Sequence, residues 1–119
     1  MASMEIRVEG GEGANPAYLS ELTRDVRDTA LASGADSAEH PRGHGPEGTK
    51  GAVEIATLVV EFSGTLPVIV QGLRALRRRY PGARLRLGLD GDGLTLGEAS
   101  IQEERRLADA FLGRHADEG

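Results

Sequence analysis

Apolar and polar positions fall into distinct patterns along the chain. Glu5-Ile6-Arg7-Val8-Glu9 alternates, as a strand with one buried face does. Gly10-Gly11-Glu12-Gly13 ends it. Asn15-Pro16 then opens a helix, because Asn caps well and Pro at the first helical position gives up no needed N–H. Leu19, Leu22, Val26 and Ala30 form one face of that helix, and Arg24, Asp25, Arg27 and Asp28 form the other. Ser33-Gly34 stops it. Residues 32–52 contain no Leu, Ile, Val, Phe, Met, Tyr or Trp. The stretch 33–48 therefore reads as a mobile loop, too polar to offset its own ordering entropy.

From Thr49 to Arg79 the chain is at its most apolar. Val53, Ile55, Ala56, Leu58, Val59, Val60 and Phe62 leave few polar positions. Residues 52–62 read as a helix that is apolar around most of its circumference. Glu54 and Glu61, seven residues apart, form the polar stripe of that helix. Ser63-Gly64-Thr65-Leu66-Pro67 breaks the run, since Pro67 cannot donate to Ser63 and crowds its carbonyl. A second helix follows, with Leu66, Ile69, Val70, Leu73 and Leu76 as its core stripe. Arg74, Arg77, Arg78 and Arg79 occupy its last turns, where cations suit the helix dipole. Arg74 and Arg78 are expected on its exposed side, dispensable for stability. The apolar window 55–70 falls short of the roughly 20 residues of a membrane span, so no span is expected.

Arg84-Leu85-Arg86-Leu87-Gly88-Leu89 alternates strictly, Asp90-Gly91-Asp92-Gly93 supplies a turn, and Leu94-Thr95-Leu96 alternates again. This is a β-hairpin. Ser100-x-x-Glu103 is a capping box, opening a last helix that carries Leu107, Ala108, Phe111 and Leu112 at helical spacing. The expected fold is α+β. It is a small sheet of three to four strands with helices packed on one face, in the order β-α-(β)-α-α-β-β-α. One domain is expected over 4–114. Residues 1–3 read as preceding a native start at Met4, and 115–119 as a disordered tail.

Composition narrows the function classes. A chain of 119 residues is one small domain. Leu, Ile, Val and Phe supply 27 of them, just above the roughly 20% below which charged chains stay unfolded. There is no Cys, which excludes disulfides and thiolate chemistry. Lys50 is the single lysine against 13 arginines, and the net charge is −5. That balance argues against a nucleic-acid partner, which calls for a basic domain. The N-terminus has no signal-peptide pattern, and a cytoplasmic protein is expected.

Candidate chemistry is thin. Asp90-Gly91-Asp92-Gly93 has the opening of a calcium loop, but its twelfth position is Ile101 rather than Glu. His40 and His44 stand four apart, in a stretch where Pro41, Gly43, Gly45 and Pro46 forbid a helix; they read as solvated loop residues. Gly10-Gly11-Glu12-Gly13 lacks a P-loop Lys, and Glu12 repels phosphate. No Ser sits in a G-x-S-x-G elbow. No catalytic residue, metal or cofactor is expected. The segment 74–86 carries six arginines and no acid, either a docking surface for an acidic partner or charge satisfied in cis. For Arg84 and Arg86 the second reading is favoured, because Glu5 and Glu9 flank Arg7 on a neighbouring strand.

The arrangement resembles the effector-associated constant component family, first type, of bacterial conflict systems. The resemblance rests on the strand Met4-Glu5-Ile6-Arg7-Val8, the helix around Leu19-Ser20-Glu21-Leu22, and the polar linker closing on Gly48-Thr49-Lys50-Gly51. It continues through the apolar stretch to Ser63-Gly64, the run Leu73-Arg74-Ala75-Leu76-Arg77-Arg78-Arg79, and the hairpin with its final helix. The resemblance implies a non-enzymatic adaptor, encoded beside caspase-like or trypsin-like peptidase effectors and NTP-dependent switch proteins in bacteria such as actinomycetes. It carries no catalytic residues. A protein partner, and homo-oligomerisation, are expected. The candidate partner surface comprises Arg74, Arg78, Glu54, Glu61 and Phe62. The alternative is a small ligand- or metal-binding domain near His40 and His44.

Overall fold

The computed structural model describes residues 2–11, 15–41 and 55–117. The chain runs β1 (Ala2–Glu9), α1 (Pro16–Ala32), β2 (Ser37–Glu39), β3 (Ile55–Phe62), α2 (Leu66–Arg78), β4 (Arg84–Leu89), β5 (Asp92–Leu96) and α3 (Ile101–Arg114). The strands form one five-stranded sheet in the order β2-β3-β1-β4-β5, antiparallel throughout. The class is α+β, as the patterning implies. Among the described residues no helix is long and apolar enough to cross a membrane.

The main correction lies at 52–62. Residues 55–62 form a strand, not a helix, and the element order has β3 where a helix is expected. Four of its eight residues, Ile55, Thr57, Val59 and Val60, are β-branched, which suits a pleated surface. Leu58, Val60 and Phe62 alternate into the core and are fully buried. The run hides its period of two because Ile55 and Val59, on the opposite face, are apolar as well. β3 sits between β1 and β2, pairing with β1 over eight positions from Ala2↔Phe62 to Glu9↔Ile55.

Three boundaries also differ from expectation. The sheet begins at Ala2 rather than Met4. Inside the expected loop the bracketed second strand of the expected order forms: Asp36 donates its N–H to the Glu61 carbonyl at 2.7 Å, and Ser37–Glu39 add an edge strand; the rest of that loop, from Arg42, lies outside the described residues. At the other end His115 is buried and closes α3. The chain does break at 63–67, but Pro67 stands in the first turn of α2, where its missing N–H costs nothing.

The inner face of the sheet carries Met4, Ile6, Val8, Leu58, Val60, Phe62, Leu85, Leu87, Leu89, Leu94 and Leu96. All three helices cover it. α1 contributes Leu19, Leu22, Val26 and Ala30; α2 contributes Leu66, Ile69, Val70, Leu73 and Leu76; α3 contributes Ala108 and Phe111. Each Leu-sized side chain so buried contributes roughly 1.5–3 kcal/mol. The caps follow the sequence: Asn15 Oδ1 accepts the Tyr18 N–H at 2.8 Å, and Ser100 Oγ accepts the Glu103 N–H at 3.2 Å. The β4–β5 turn is a two-residue loop with φ of 53° at Asp90 and 80° at Gly91. Positive φ at both positions is the geometry whose twist matches the flanking strands.

Candidate interaction surfaces

Of the five residues expected to share a partner surface, the four that are described do not come together. Phe62 is at the centre of the core, fully buried. Arg74 is buried too, with its Nε 3.1 Å from Glu104 Oε2, and Glu104 is 2% exposed. Glu104 Oε1 also accepts the Gly97 N–H at 2.8 Å, so one carboxylate joins α2, α3 and the β5–α3 loop. Gly97 has φ of 100°, and a Cβ there would come within 2.4 Å of the Ala83 carbonyl oxygen, so glycine is required. Arg74 is thus a structural residue, and reversing its charge is destructive rather than neutral. The sequence does hold a signal for this pair: Glu104, Ala108, Phe111 and His115 form one helical row, and all four are buried.

Of the remaining three, Arg78 is exposed in the last turn of α2, beside exposed Arg79. Glu61 lies on the outer face of the sheet, 3.3 Å from Ser37 Oγ. Glu54 and His44 lie outside the described residues.

No described element covers the outer face of the sheet. Its rows are set by the register. Glu5 stands between Val59 and Gly88, Arg7 between Thr57 and Arg86, and Glu9 between Ile55 and Arg84. Glu9 draws in two arginines of β4, Arg86 diagonally at 3.1 Å and Arg84 at 3.9 Å; Arg84 also meets Glu98 at 3.1 Å. Arg84 and Arg86 are therefore satisfied in cis, as the sequence suggested. Arg7 directly opposes Arg86, an unfavourable pair, with Glu5 3.9 Å from its guanidinium. The β3 half is different. Ile55 is 46% exposed, and Thr57 and Val59 are half-buried.

Two further clusters were not foreseen. Asp92 receives Arg114 Nε at 2.6 Å and Arg114 Nη2 at 3.2 Å, and lies 2.8 Å from His115 Nε2. The Arg114 guanidinium, and then His115, hold its carboxyl down at about 2, below the usual 3.8. Asp92 thus pins the end of α3 to the hairpin rather than serving a calcium loop. Tyr80 donates its hydroxyl to Asp25, tying the α2–β4 loop to α1. That hydrogen bond, with some burial, pushes the Tyr80 phenol up to about 12.

A cleft of about 450 Å³ opens between α1 and β3, lined by Leu19, Thr23, Arg27, His40, Ala56 and Leu58 among others. Its polar groups turn to the chain itself. Thr23 Oγ1 donates to the Leu19 carbonyl at 2.7 Å, Arg27 Nε donates to the Ala38 carbonyl at 2.9 Å, and His40 Nδ1 lies 3.2 Å from the Thr57 carbonyl. Among the described residues, no group of three or more His, Asp or Glu could hold a metal ion. The chain matches no protein-family model, no curated protein and no solved structure.

Proposed function

We propose that this domain is a non-enzymatic, cytoplasmic adaptor of a bacterial NTP-dependent conflict system. It docks a co-encoded caspase-like or trypsin-like peptidase effector, or that effector's regulator, on the outer face of the sheet. The observation that carries this reading is the β3 half of that face. Ile55, Thr57 and Val59 make an apolar strip flanked by Glu5, Arg7, Glu9 and Glu39, on a surface that no described element covers. An apolar centre with a charged rim is the anatomy of a non-obligate interface. Five strands spaced about 4.8 Å apart give a face of roughly 400–500 Å², so a contact of about 800 Å² per partner would extend past the sheet onto its flanking loops.

The test is capture of the purified, co-encoded peptidase by wild type and by Ile55→Lys with Val59→Lys, whose new charges face Glu9, Glu5 and Glu39. The double change is expected to abolish capture while leaving the melting temperature within a few degrees of wild type, since both positions face outward. Undiminished capture by a folded double variant overturns the reading. The cleft beside α1 favours a second reading, a small ligand- or metal-binding domain. Thermal melts with divalent metals and nucleotides that show no shift remove it.

A further inference from the structure

The cleft beside α1 is a gap left by a short strand. β3 has β1 beside all eight of its residues but β2 beside three, Val59 to Glu61. Next to Ala56 and Leu58, on the inner face, no described strand lies on that side. The facing wall is α1. Pro16, Leu19, Ser20, Thr23, Arg24 and Arg27 follow there at i, i+3, i+4, i+7, i+8 and i+11, one side of the helix. They span roughly 16 Å of helix, so the cleft is long rather than round.

Floor and mouth differ in chemistry. The floor is apolar: Leu19, Ala56 and Leu58, with the Thr23 hydroxyl spent on the Leu19 carbonyl at 2.7 Å. The mouth is cationic. Arg24 and Arg27 are exposed there beside His40, and no described lining residue is acidic, in a chain of net charge −5. Arg24 has no hydrogen bond or ion pair among the described residues. Arg27 gives its Nε to the Ala38 carbonyl, and its Nη1 lies 3.7 Å from Asp28, a loose and exposed pair. Its Nη2 is uncommitted among the described residues.

We propose that this cleft binds a single-tailed aliphatic anion of the fatty-acid class, its tail along the floor and its head group at Arg24 and Arg27. The volume, about 450 Å³, falls within the range of small-ligand pockets. The elongated shape suits an unbranched tail. Two guanidiniums toward one end suit a carboxylate, which each can bond through paired N–H groups. Other occupants fit worse. No described lining residue is a carboxylate to take a metal, and none is an aromatic ring on which a base would stack. The inference rests on the second reading above, that this cleft holds a small ligand. It is independent of docking on the outer face, because Ala56 and Leu58 stand on the opposite side of β3 from Ile55, Thr57 and Val59.

Isothermal titration calorimetry of the whole chain with hexanoate, octanoate and decanoate, each below its micelle concentration, tests the proposal. A circular-dichroism melt of each variant is the folding control. The expected result is one site per chain, with affinity rising about fourfold per added methylene and decanol binding about tenfold more weakly than decanoate. Arg24→Glu is expected to fold like wild type, to lose about tenfold for decanoate and to gain affinity for decyltrimethylammonium. Ala56→Trp fills the floor and is expected to abolish binding; should it unfold, Ser20→Phe on the exposed wall replaces it, with the same expectation. Affinity that ignores tail length, or that survives Arg24→Glu undiminished, overturns the proposal. So does binding that survives the cleft-filling variant and is lost on Val59→Lys, which places the tail on the outer face. Absence of heat with every tail overturns it as well. In that case a melting shift with a divalent metal or a nucleotide keeps the second reading while this inference falls, and no shift removes both.

Discussion

β1 and β3 are neighbours paired residue for residue over eight positions, yet they treat solvent differently. Their inner faces are equivalent: Met4, Ile6 and Val8 on one, Leu58, Val60 and Phe62 on the other, all fully buried. Their outer faces diverge. β1 presents Ser3, Glu5, Arg7 and Glu9, whereas β3 presents Ile55, Thr57 and Val59 before its one outer charge, Glu61. The uncovered side of the sheet is thus half laced with charge and half apolar. An inner face answers to packing, which dictates the same chemistry for both strands. An outer face is free of that demand, so a difference there is where a partner can be read.

The largest expected effects come from breaking the inner layer. Arg74→Ala leaves Glu104 as an uncompensated buried carboxylate, a loss of about 3–5 kcal/mol. That corresponds to a fall in melting temperature on the order of 15 °C. Replacing both partners at once, Arg74→Met with Glu104→Leu, should recover much of the loss, which a double-mutant cycle would measure. Leu58→Ala is next, at about 2–5 kcal/mol including the cavity left behind. Its neighbour Val59→Ala, on the opposite face of the same strand, should cost within about 1 kcal/mol; urea melts of the pair would set the two faces against each other directly.

Smaller effects probe the charges. The Asp92 carboxyl titrates lower in the folded protein, at about 2, than its ordinary 3.8. Its contribution is therefore present above about pH 4 and is lost as pH falls from there through about 2. Asp92→Asn should flatten the part of the melting-temperature profile between about pH 4 and about 2. Smallest of all, Arg7→Thr removes one member of the opposed Arg7–Arg86 pair. Exposed charges act within about half a kcal/mol, and here the expected sign is neutral to stabilising, readable as a slight rise in urea midpoint at low salt.

Where outer positions are polar, the elements were legible in the sequence. β1 and β4 alternate, Asp90-Gly91 marks the hairpin, and Asn15 and Ser100 mark the helix starts. β3 was not legible as a strand, because Ile55 and Val59 erase the alternation that distinguishes a strand from a buried helix. β2 is three residues of Ser, Ala and Glu, held by pairing with β3 rather than by its own propensity. The surface residues fared worse. Burial of Arg74 depends on where α3 crosses α2; the row of Glu104, Ala108, Phe111 and His115 hints at a buried carboxylate but does not name Arg74 as its partner, and Asp92 meets Arg114 and His115 only once the hairpin and α3 are docked.

The placement of β1 also sets the order of assembly during synthesis. Of the described strands β1 is made before the others, and both its sheet neighbours lie later in the chain, β3 from Ile55 and β4 from Arg84. Pairings this distant in sequence are slow to close. At about 5–20 residues per second, β1 waits roughly 4–16 s for β4 to emerge. Through that interval its Met4, Ile6 and Val8 face water beside the growing chain, and a nascent-chain chaperone has its longest window on this segment.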